Sequence, residues 1–262
     1  MIRQLVIDKH EGVFAYAKKI PFLSKKKVKF KKGLNILVGS NGSGKSTILL
    51  MIARYLAATQ GGFSVVTEGW IRDNYNMFDH KHVLHHSIEH DGQPILYGNP
   101  RNMVGLSGGA FDDDFFESGL RNIMTRASTG QTTMGRLNYP FSVLAGRTEF
   151  PKEVEYRIHK DQVNEVWAKS IEALEANFVA KLEKSQPTVL LDEPESGLSL
   201  EMQARLWTKL LGVKLVAANF QIIVASHSPF AIGHKHANYI EMEAGYLESS
   251  LISIKEWTEI LG

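Results

Sequence analysis

Eight consecutive residues give the first indication of the fold: Gly39-Ser40-Asn41-Gly42-Ser43-Gly44-Lys45-Ser46. They fit the pattern G-x-x-x-x-G-K-S/T at every defined position. An apolar run at residues 34–38 precedes them, and apolar side chains at helical spacing follow over residues 45–58. The order strand, glycine loop, helix predicts a phosphate-binding loop in an α/β fold.

In such a loop the glycines let the backbone amides of residues 41–45 converge at a helix N-terminus, where the helix dipole also favours anions. We therefore expect residues 39–47 to bind the phosphates of ATP. Lys45 is expected to pair with the β- and γ-phosphates, Ser46 to ligate Mg²⁺ through its hydroxyl, and Thr47 to reach the α-phosphate. A chance flexible loop is the alternative, and the flanking strand and helix argue against it.

Two further polar segments each follow an apolar run. Asp192 and Glu193 follow the run at residues 188–191, and His227 follows the run at residues 221–225. A helical pattern at about residues 200–217 lies between them, so this part of the chain predicts a βαβ unit and a parallel sheet. Ligands of such sheets bind at the carboxyl ends of the strands, where these polar residues lie.

This position suggests a separate role for each side chain. We expect Asp192 to hold the magnesium shell, usually through water, and Glu193 to polarise the attacking water. His227 is expected to hydrogen-bond the γ-phosphate. The alternatives are a surface acidic pair and an ordinary loop histidine, and the occurrence of all three segments in this order favours the functional interpretation.

The three segments resemble those of the ABC ATPases, and the resemblance covers most of the chain. Leu-Asp-Glu-Pro-Glu-Ser-Gly-Leu at residues 191–198 and Ser-His-Ser-Pro at residues 226–229 look like the SMC, RecF and OLD-like branch and its small "AAA family ATPase" relatives. The resemblance implies a D-loop at residues 196–199 that touches a second copy, and a homodimer that forms on ATP binding. It also implies DNA repair, recombination or anti-phage defence.

The family also has a signature motif, whose serine and glycine amides grip the γ-phosphate bound by the opposite copy. By resemblance, Ser128 and Gly130 are the preferred residues, within Ala127-Ser128-Thr129-Gly130-Gln131. Residues 106–110, Leu-Ser-Gly-Gly-Ala, match the motif more literally but lead into an acidic run. The separation between Ser128 and Asp192 exceeds the family's usual spacing, so a degenerate signature site is an alternative interpretation. The family's Q-loop glutamine is either Gln93 or Gln60.

We expect residues 1–262 to form a single domain with a mainly parallel sheet, an antiparallel β edge from the N-terminal third, and a helical insertion at about residues 99–150. Strands are predicted at residues 2–8, 26–30, 63–70 and 82–98, the last interrupted by a turn at residues 91–92. A long amphipathic helix is predicted at about residues 152–184. The segment at about residues 238–262 resembles a hairpin followed by a short helix.

Composition limits the classes of function. Ten histidines and no cysteine exclude disulfides and thiolate zinc sites and fit a reducing compartment, with the cytoplasm as the default. No run of 18 apolar residues is free of charge, so membrane insertion is not expected. The segment after His227 is too short for the nuclease domain of OLD-like proteins and no heptad arm interrupts the chain, so we expect an effector on a separate chain.

A net charge of +2 means that any affinity for nucleic acid must come from local clusters. Six lysines could neutralise DNA phosphates, although a solvated, edge-protecting strand face is favoured. Five histidines could bind a metal, but they divide between both faces of one predicted strand. Phe14 and Tyr16 are candidates to stack on adenine, with ordinary packing favoured. The lysines are Lys25, Lys26, Lys27, Lys29, Lys31 and Lys32, and the histidines are His80, His82, His85, His86 and His90.

Two other functions are compatible with these motifs. One is the nucleotide-binding subunit of a transporter, which would dock on a membrane partner. The other is a scaffold that binds ATP with little hydrolysis, which the imperfect signature and the long spacer would fit.

Overall fold

A computed structural model describes residues 1–7, 19–24, 27–56, 58–60, 63–64, 75–76, 81–82, 86–93, 95–100, 188–211 and 220–261. Several predictions concern residues outside these ranges. They include the long helix at residues 152–184, nearly all of the insertion at residues 99–150, and both signature candidates with Ser128 and Gly130. Phe14 and Tyr16 also lie outside the described residues.

The described chain alternates strands and helices after an N-terminal group of strands. The strands are β1 (Ile2–Ile7), β2 (Lys27–Lys29), β3 (Gly33–Val38), β4 (Thr59–Gln60), β5 (Phe63–Ser64), β6 (Tyr75–Asn76), β7 (Lys81–His82), β8 (His86–His90), β9 (Ile95–Gly98), β10 (Thr188–Asp192), β11 (Gln221–Ala225) and β12 (Asn238–Glu241). The α-helices are α1 (Lys45–Tyr55), α2 (Leu200–Arg205), α3 (Pro229–Ile232) and α4 (Tyr246–Leu261). A 3₁₀ turn covers Pro21–Ser24, and a π-helix, Leu206–Leu211, continues α2.

The main sheet has seven described strands in the order β12-β3-β11-β10-β9-β4-β5. Its neighbouring strands are parallel except for β4 and β5. This confirms the predicted mainly parallel α/β sheet. In the pairing register Asp192 lies opposite Ala225, and Ala225 lies opposite Leu37, so the carboxyl ends of β3, β11 and β10 are level.

Both faces of this sheet are buried, as a parallel sheet requires. One face packs against α1 and the antiparallel strands, and the other packs against Trp207 and α3. Successive strand residues point to opposite faces, which is why β3, β10 and β11 read as continuous apolar runs. On the α1 face lie Leu37, Leu190, Ile223 and Ala225, and on the other face lie Ile36, Val189, Leu191, Ile222 and Val224.

The predicted antiparallel strands form a sheet of their own in the order β2-β1-β8. The Gln221 side chain joins it to the main sheet, because it accepts a 2.6 Å hydrogen bond from the Ile2 amide and donates one of 2.6 Å to the Ile2 carbonyl. Strand β2 is at the edge of the described sheet, with Val28 buried and Lys27 and Lys29 exposed.

The expected hairpin at residues 238–262 is wrong. Strand β12 instead extends the main sheet parallel to β3, with Asn238 opposite Asn35, and α4 follows over 16 residues. Strand β12 is only half-buried, so its sequence lacks the apolar run that marked the central strands. No helix in the described part of the chain combines the length and apolar character needed to cross a bilayer.

Candidate functional site

The loop of residues 39–46 connects the end of β3 to the start of α1, as predicted. Gly44 precedes the helix with φ of 102°, a left-handed conformation that favours glycine. A Cβ atom at Gly44 would lie 2.8 Å from Cγ2 of Ile20, and one at Gly39 would lie 2.7 Å from Cβ of Met242. Packing therefore excludes side chains at both positions, so the loop requires glycine there.

Lys45 is the first residue of α1, and its side chain is buried. Its ammonium donates hydrogen bonds to the carbonyl oxygens of Gly39 at 2.9 Å and Ser40 at 2.8 Å. Burial lowers the pKa of Lys45, against the opposing effect of nearby carboxylates, of which Glu193 contributes most. A cation held by its own loop in this way is positioned for an anion that binds over the loop.

Asp192 lies at the end of β10, where its carboxylate contacts the start of α1. Oδ1 accepts a 2.8 Å hydrogen bond from the Ser46 hydroxyl, and Oδ2 accepts one of 3.0 Å from Nδ2 of Asn99. A serine hydroxyl and one carboxylate are the oxygen ligands that Mg²⁺ takes together with phosphate oxygens and water. Their contact brings both to one point, so the residues present fit magnesium.

Glu193 and His227 lie beside this pair. Glu193 has φ of 47°, a left-handed value that no other described non-glycine residue shares, and its amide donates to the carbonyl of Ala225 at 2.9 Å. Strain of this kind is concentrated at functional sites. Nε2 of His227 lies 3.6 Å from Oε1 of Glu193. The structure therefore brings Lys45, Ser46, Asp192, Glu193 and His227 to one edge of the sheet.

Two family models match the chain, and each matched stretch contains one part of the site. A model described as "AAA domain" matches residues 14–64, which contain the phosphate-binding loop. A model described as "AAA domain, putative AbiEii toxin, Type IV TA system" matches residues 176–233, which contain Asp192, Glu193 and His227. The two matches indicate an AAA-type P-loop ATPase domain.

Solved structures similar to this P-loop ATPase include a nucleotide-free ATP-binding cassette from an ABC transporter, with 12% identity, TM-score 0.37 and coverage of 92% of this chain and 88% of the other. A dimeric bacterial ABC transporter cassette has 13% identity, TM-score 0.36 and coverage of 91% and 94%. TM-scores this low do not establish a shared fold, so the fold assignment rests on the strand order and the loop geometry. A comparison with curated proteins found no match.

A third carboxylate, Glu195, is buried beside the P-loop ATPase motifs, with 7% of its surface exposed. Its Oε1 accepts hydrogen bonds from the Ser226 hydroxyl and from the amides of His227 and Ser228. Burial raises the pKa of Glu195, against the opposing effect of these hydrogen bonds. A cavity of about 480 Å³ opens here, and the described residues that line it are Asn41, Glu193, Glu195, Ser196, Gly197, Gln203, His227, Ser228 and Pro229.

Asn99 is a site residue that the sequence analysis missed. It directly follows β9, and its amide contacts Asp192 because β9 and β10 are adjacent and parallel. The sequence motif pointed to a glutamine, but Gln93 precedes β9 and so lies at the opposite edge of the sheet from Asp192. Gln60 lies on β4, and its side chain is outside the description. A polar residue directly after an apolar strand was the signal that could have identified Asn99.

Glu243 was also missed, because it follows β12 within the segment expected to be a hairpin. Its Oε1 accepts a 2.5 Å hydrogen bond from the Ser40 hydroxyl, and its Oε2 accepts one of 3.4 Å from the Ser40 amide. Glu243 is also among the carboxylates that raise the pKa of Lys45. A negative charge therefore lies against the phosphate-binding loop.

The histidine and lysine clusters are only partly described. His90 accepts a 3.0 Å hydrogen bond from the Gly92 amide through Nδ1, whereas His80 and His85 lie outside the described residues. In the described ranges no group of three or more His, Asp or Glu side chains could hold a metal ion. Of the six lysines, Lys25 and Lys26 lie outside the description, and the other four are exposed.

Proposed function

We propose that this chain binds ATP with Mg²⁺ and hydrolyses it to ADP and phosphate. The observation that supports this best is the convergence of side chains from three distant segments at the level ends of β3, β10 and β11. Two of these side chains, Ser46 and Asp192, are in direct contact at 2.8 Å. A phosphate-binding loop alone would support binding, and the adjacent carboxylates and histidine add the groups that hydrolysis requires.

Binding is assigned to the loop and the first turn of α1. The amides and side chains of these residues hold the triphosphate, with the Lys45 ammonium turning from the loop carbonyls to the β- and γ-phosphates. Ser46 and Asp192 would hold Mg²⁺, which would supply positive charge to offset that of the triphosphate. The nucleotide-binding residues are Gly39, Ser40, Asn41, Gly42, Ser43, Gly44, Lys45, Ser46 and Thr47.

Hydrolysis is assigned to Glu193 and His227. The Glu193 carboxylate accepts a proton from the attacking water, whose oxygen forms a bond to the γ-phosphorus. The bond from that phosphorus to the bridging oxygen breaks, and the electron pair leaves with ADP. Lys45 and the His227 imidazole hold the γ-phosphate oxygens during this step.

We also propose that two copies share each site. Lys45, Ser46, Asp192, Glu193 and His227 come from one copy, and Ser128 and Gly130 come from the other, so ATP holds the dimer together and hydrolysis releases it. Ser196 and Gly197, in the segment expected to touch the second copy, line the same cavity as Glu193. Such a cycle would control a separate effector protein or nucleic acid in the cytoplasm, in DNA repair, recombination or anti-phage defence. The description of one matching family model includes a toxin, which supports control of a partner protein rather than a role in a transporter.

Steady-state phosphate release tests the chemistry. Glu193→Gln should keep ATP binding and lower turnover about a hundredfold to ten-thousandfold, the range that a general base contributes. Lys45→Ala should instead weaken binding about tenfold to a hundredfold, because a charge-assisted contact is worth about 1.5–3 kcal/mol. Binding without turnover in the wild type would favour the scaffold, and an ordinary rate in the Glu193→Gln variant would assign the base to another residue.

Mixing two inactive variants tests the shared site. Lys45→Ala and Ser128→Arg proteins together should regain part of the ATPase activity, because a mixed dimer contains one intact composite site. Light scattering of Glu193→Gln protein with ATP and Mg²⁺ should show the mass doubling from that of one 29.3 kDa chain. Rescue with Ser107→Arg but not with Ser128→Arg would move the signature to residues 106–110. If the Ser128→Arg and the Ser107→Arg mixtures both stay inactive although mixed dimers form, the result contradicts a shared site.

A further inference from the structure

The buried carboxylate of Glu195 connects two segments that each carry a residue of the site. Its Oε1 accepts hydrogen bonds from the Ser226 hydroxyl at 2.5 Å, the His227 amide at 3.1 Å and the Ser228 amide at 3.2 Å. Glu195 itself lies in the turn that begins at Glu193, whose Oε1 is 3.6 Å from the His227 ring. The loop with His227 is therefore bound to the turn with Glu193 in two ways, through its backbone amides to Glu195 and through the His227 ring to Glu193.

A second connection joins the same two segments. The Ser228 hydroxyl donates a 3.1 Å hydrogen bond to Oε1 of Gln203, and Nε2 of Gln203 donates one of 3.1 Å to the carbonyl of Leu198. Leu198 ends the turn, and its own amide donates to the Glu195 carbonyl at 3.0 Å. The loop and the turn thus form one hydrogen-bonded unit.

This use of a carboxylate is energetically costly. Oε2 of Glu195 is buried and has no hydrogen-bond partner among the described residues. An unsatisfied buried oxygen on an ionisable group lowers stability, and burial raises the pKa of this group. An acceptor for two amides and a hydroxyl does not by itself require a carboxylate, so the cost suggests a role at the adjacent site.

We propose that Glu195 is a positioning residue that holds the His227 ring against Glu193, so that the turn and the loop respond to the γ-phosphate as one unit. This inference rests on the proposed ATPase activity. Since residues 196–199 are the segment expected to touch a second copy, the same connection carries a displacement of His227 to the dimer contact.

The alternative is that Glu195 only stabilises the fold, and matched variants distinguish the two. Glu195→Ala removes all three hydrogen bonds, whereas Glu195→Gln keeps an acceptor oxygen at the same place. Thr188→Val serves as the control, because it removes a buried 3.2 Å hydrogen bond to Gln221 at the opposite end of β10. Thermal unfolding then shows how much stability each variant loses.

We expect Glu195→Ala to lower kcat for ATP about tenfold to a hundredfold with KM within about twofold, since small displacements of catalytic groups have effects of this size. Glu195→Gln should recover most of that loss, and Thr188→Val should lose stability with kcat unchanged. Adding His227→Ala to Glu195→Ala should cost little more than His227→Ala alone, because both changes remove the same function.

Independent, multiplying losses in the double variant would overturn the proposal. So would an unchanged kcat in Glu195→Ala or no recovery in Glu195→Gln. If the wild type does not hydrolyse ATP, the proposed function fails, and amide hydrogen exchange tests the connection separately. The His227 and Ser228 amides should then exchange faster in Glu195→Ala than in Glu195→Gln, and equal protection in the two variants would refute the connection.

Discussion

The Ser46 hydroxyl donates a 2.8 Å hydrogen bond to Oδ1 of Asp192, although the two residues are 146 positions apart in the chain. The contact joins the first turn of α1 to the end of β10 within the protein itself. In the proposed site, Ser46 and Asp192 would hold Mg²⁺, which would neutralise charge on the phosphates. The hydrogen bond thus identifies two side chains that would serve a magnesium ion together.

Asp192→Asn should raise the Mg²⁺ concentration needed for half-maximal turnover by about tenfold or more, because a neutral amide is a much weaker partner for a divalent cation. The measurement is ATP hydrolysis across a magnesium titration at fixed ATP. Glu201→Gln, which removes an exposed carboxylate on α2, is the control and should leave the titration unchanged. An unshifted midpoint in Asp192→Asn would exclude this residue from the magnesium shell.

Glu243→Gln should increase affinity for ATP about twofold to tenfold at low salt, because it removes a negative charge beside the site of the triphosphate. The gain should shrink as salt rises, since Glu243 is exposed and its field is screened. Titration with a fluorescent ATP analogue at two ionic strengths measures both effects. Glu248→Gln, on the first turn of α4, is the matched control. Weaker binding in the Glu243 variant would mean that its hydrogen bonds to Ser40 matter more than its charge.

The central strands and the three motif segments could be predicted from sequence because each is an apolar run with polar residues directly after it. Strand β12 could not, since it is half-buried and gains its place only by pairing with β3. Glu243 was missed for the same reason, whereas Asn99 directly follows an apolar strand and was missed because the sequence motif pointed to a glutamine. Each reaches the site through a strand neighbour, and strand order in a parallel sheet is a tertiary property that local pattern does not specify.

The burial of Glu195 likewise could not be predicted from the sequence. Its place in Asp-Glu-Pro-Glu is compatible with a surface turn and with a buried one, and its burial follows from β10 and β11 being adjacent. By contrast, the role of Lys45 was predicted from the loop pattern alone. The burial of its side chain and its hydrogen bonds to the loop carbonyls are compatible with that role.

Stability should depend on pH through Glu195. Its pKa in the folded protein is raised above the ordinary value of 4.5 by burial, so the native state binds this proton more tightly than the unfolded state. The stabilisation from this group is fully present below pH 4.5 and is lost as the pH rises through the raised pKa of the folded protein. Glu195→Gln does not titrate, so its melting temperature relative to wild type should rise across that window. Differential scanning calorimetry of both proteins from about pH 4 to about pH 8 measures this difference in melting temperature. A pH-independent difference would contradict the shift.

The exposed lysines on β2 and directly before β3 are predicted to protect a sheet edge rather than to bind DNA. Replacing Lys27, Lys29, Lys31 and Lys32 by Gln should promote self-association at high protein concentration, detected by light scattering. Duplex DNA binding, followed by fluorescence anisotropy at low salt, should be absent or equal in both proteins. A clear loss of DNA binding in the variant would make this strand a nucleic-acid contact and nucleic acid a direct partner.

Strands β9 and β10 are neighbours in the sheet, and the chain leaves the first at Gly98 and enters the second at Thr188. The phosphate-binding loop, Asp192, Glu193 and His227 lie outside this interval, whereas Asn99 begins it and the proposed signature residues lie within it. An interval attached at two fixed, adjacent strands can change in length and sequence without altering the strands that present Lys45, Asp192 and His227. Evolution, or an engineer, could therefore vary the signature half of the shared site while the strands that carry the nucleotide-binding half are inherited unchanged.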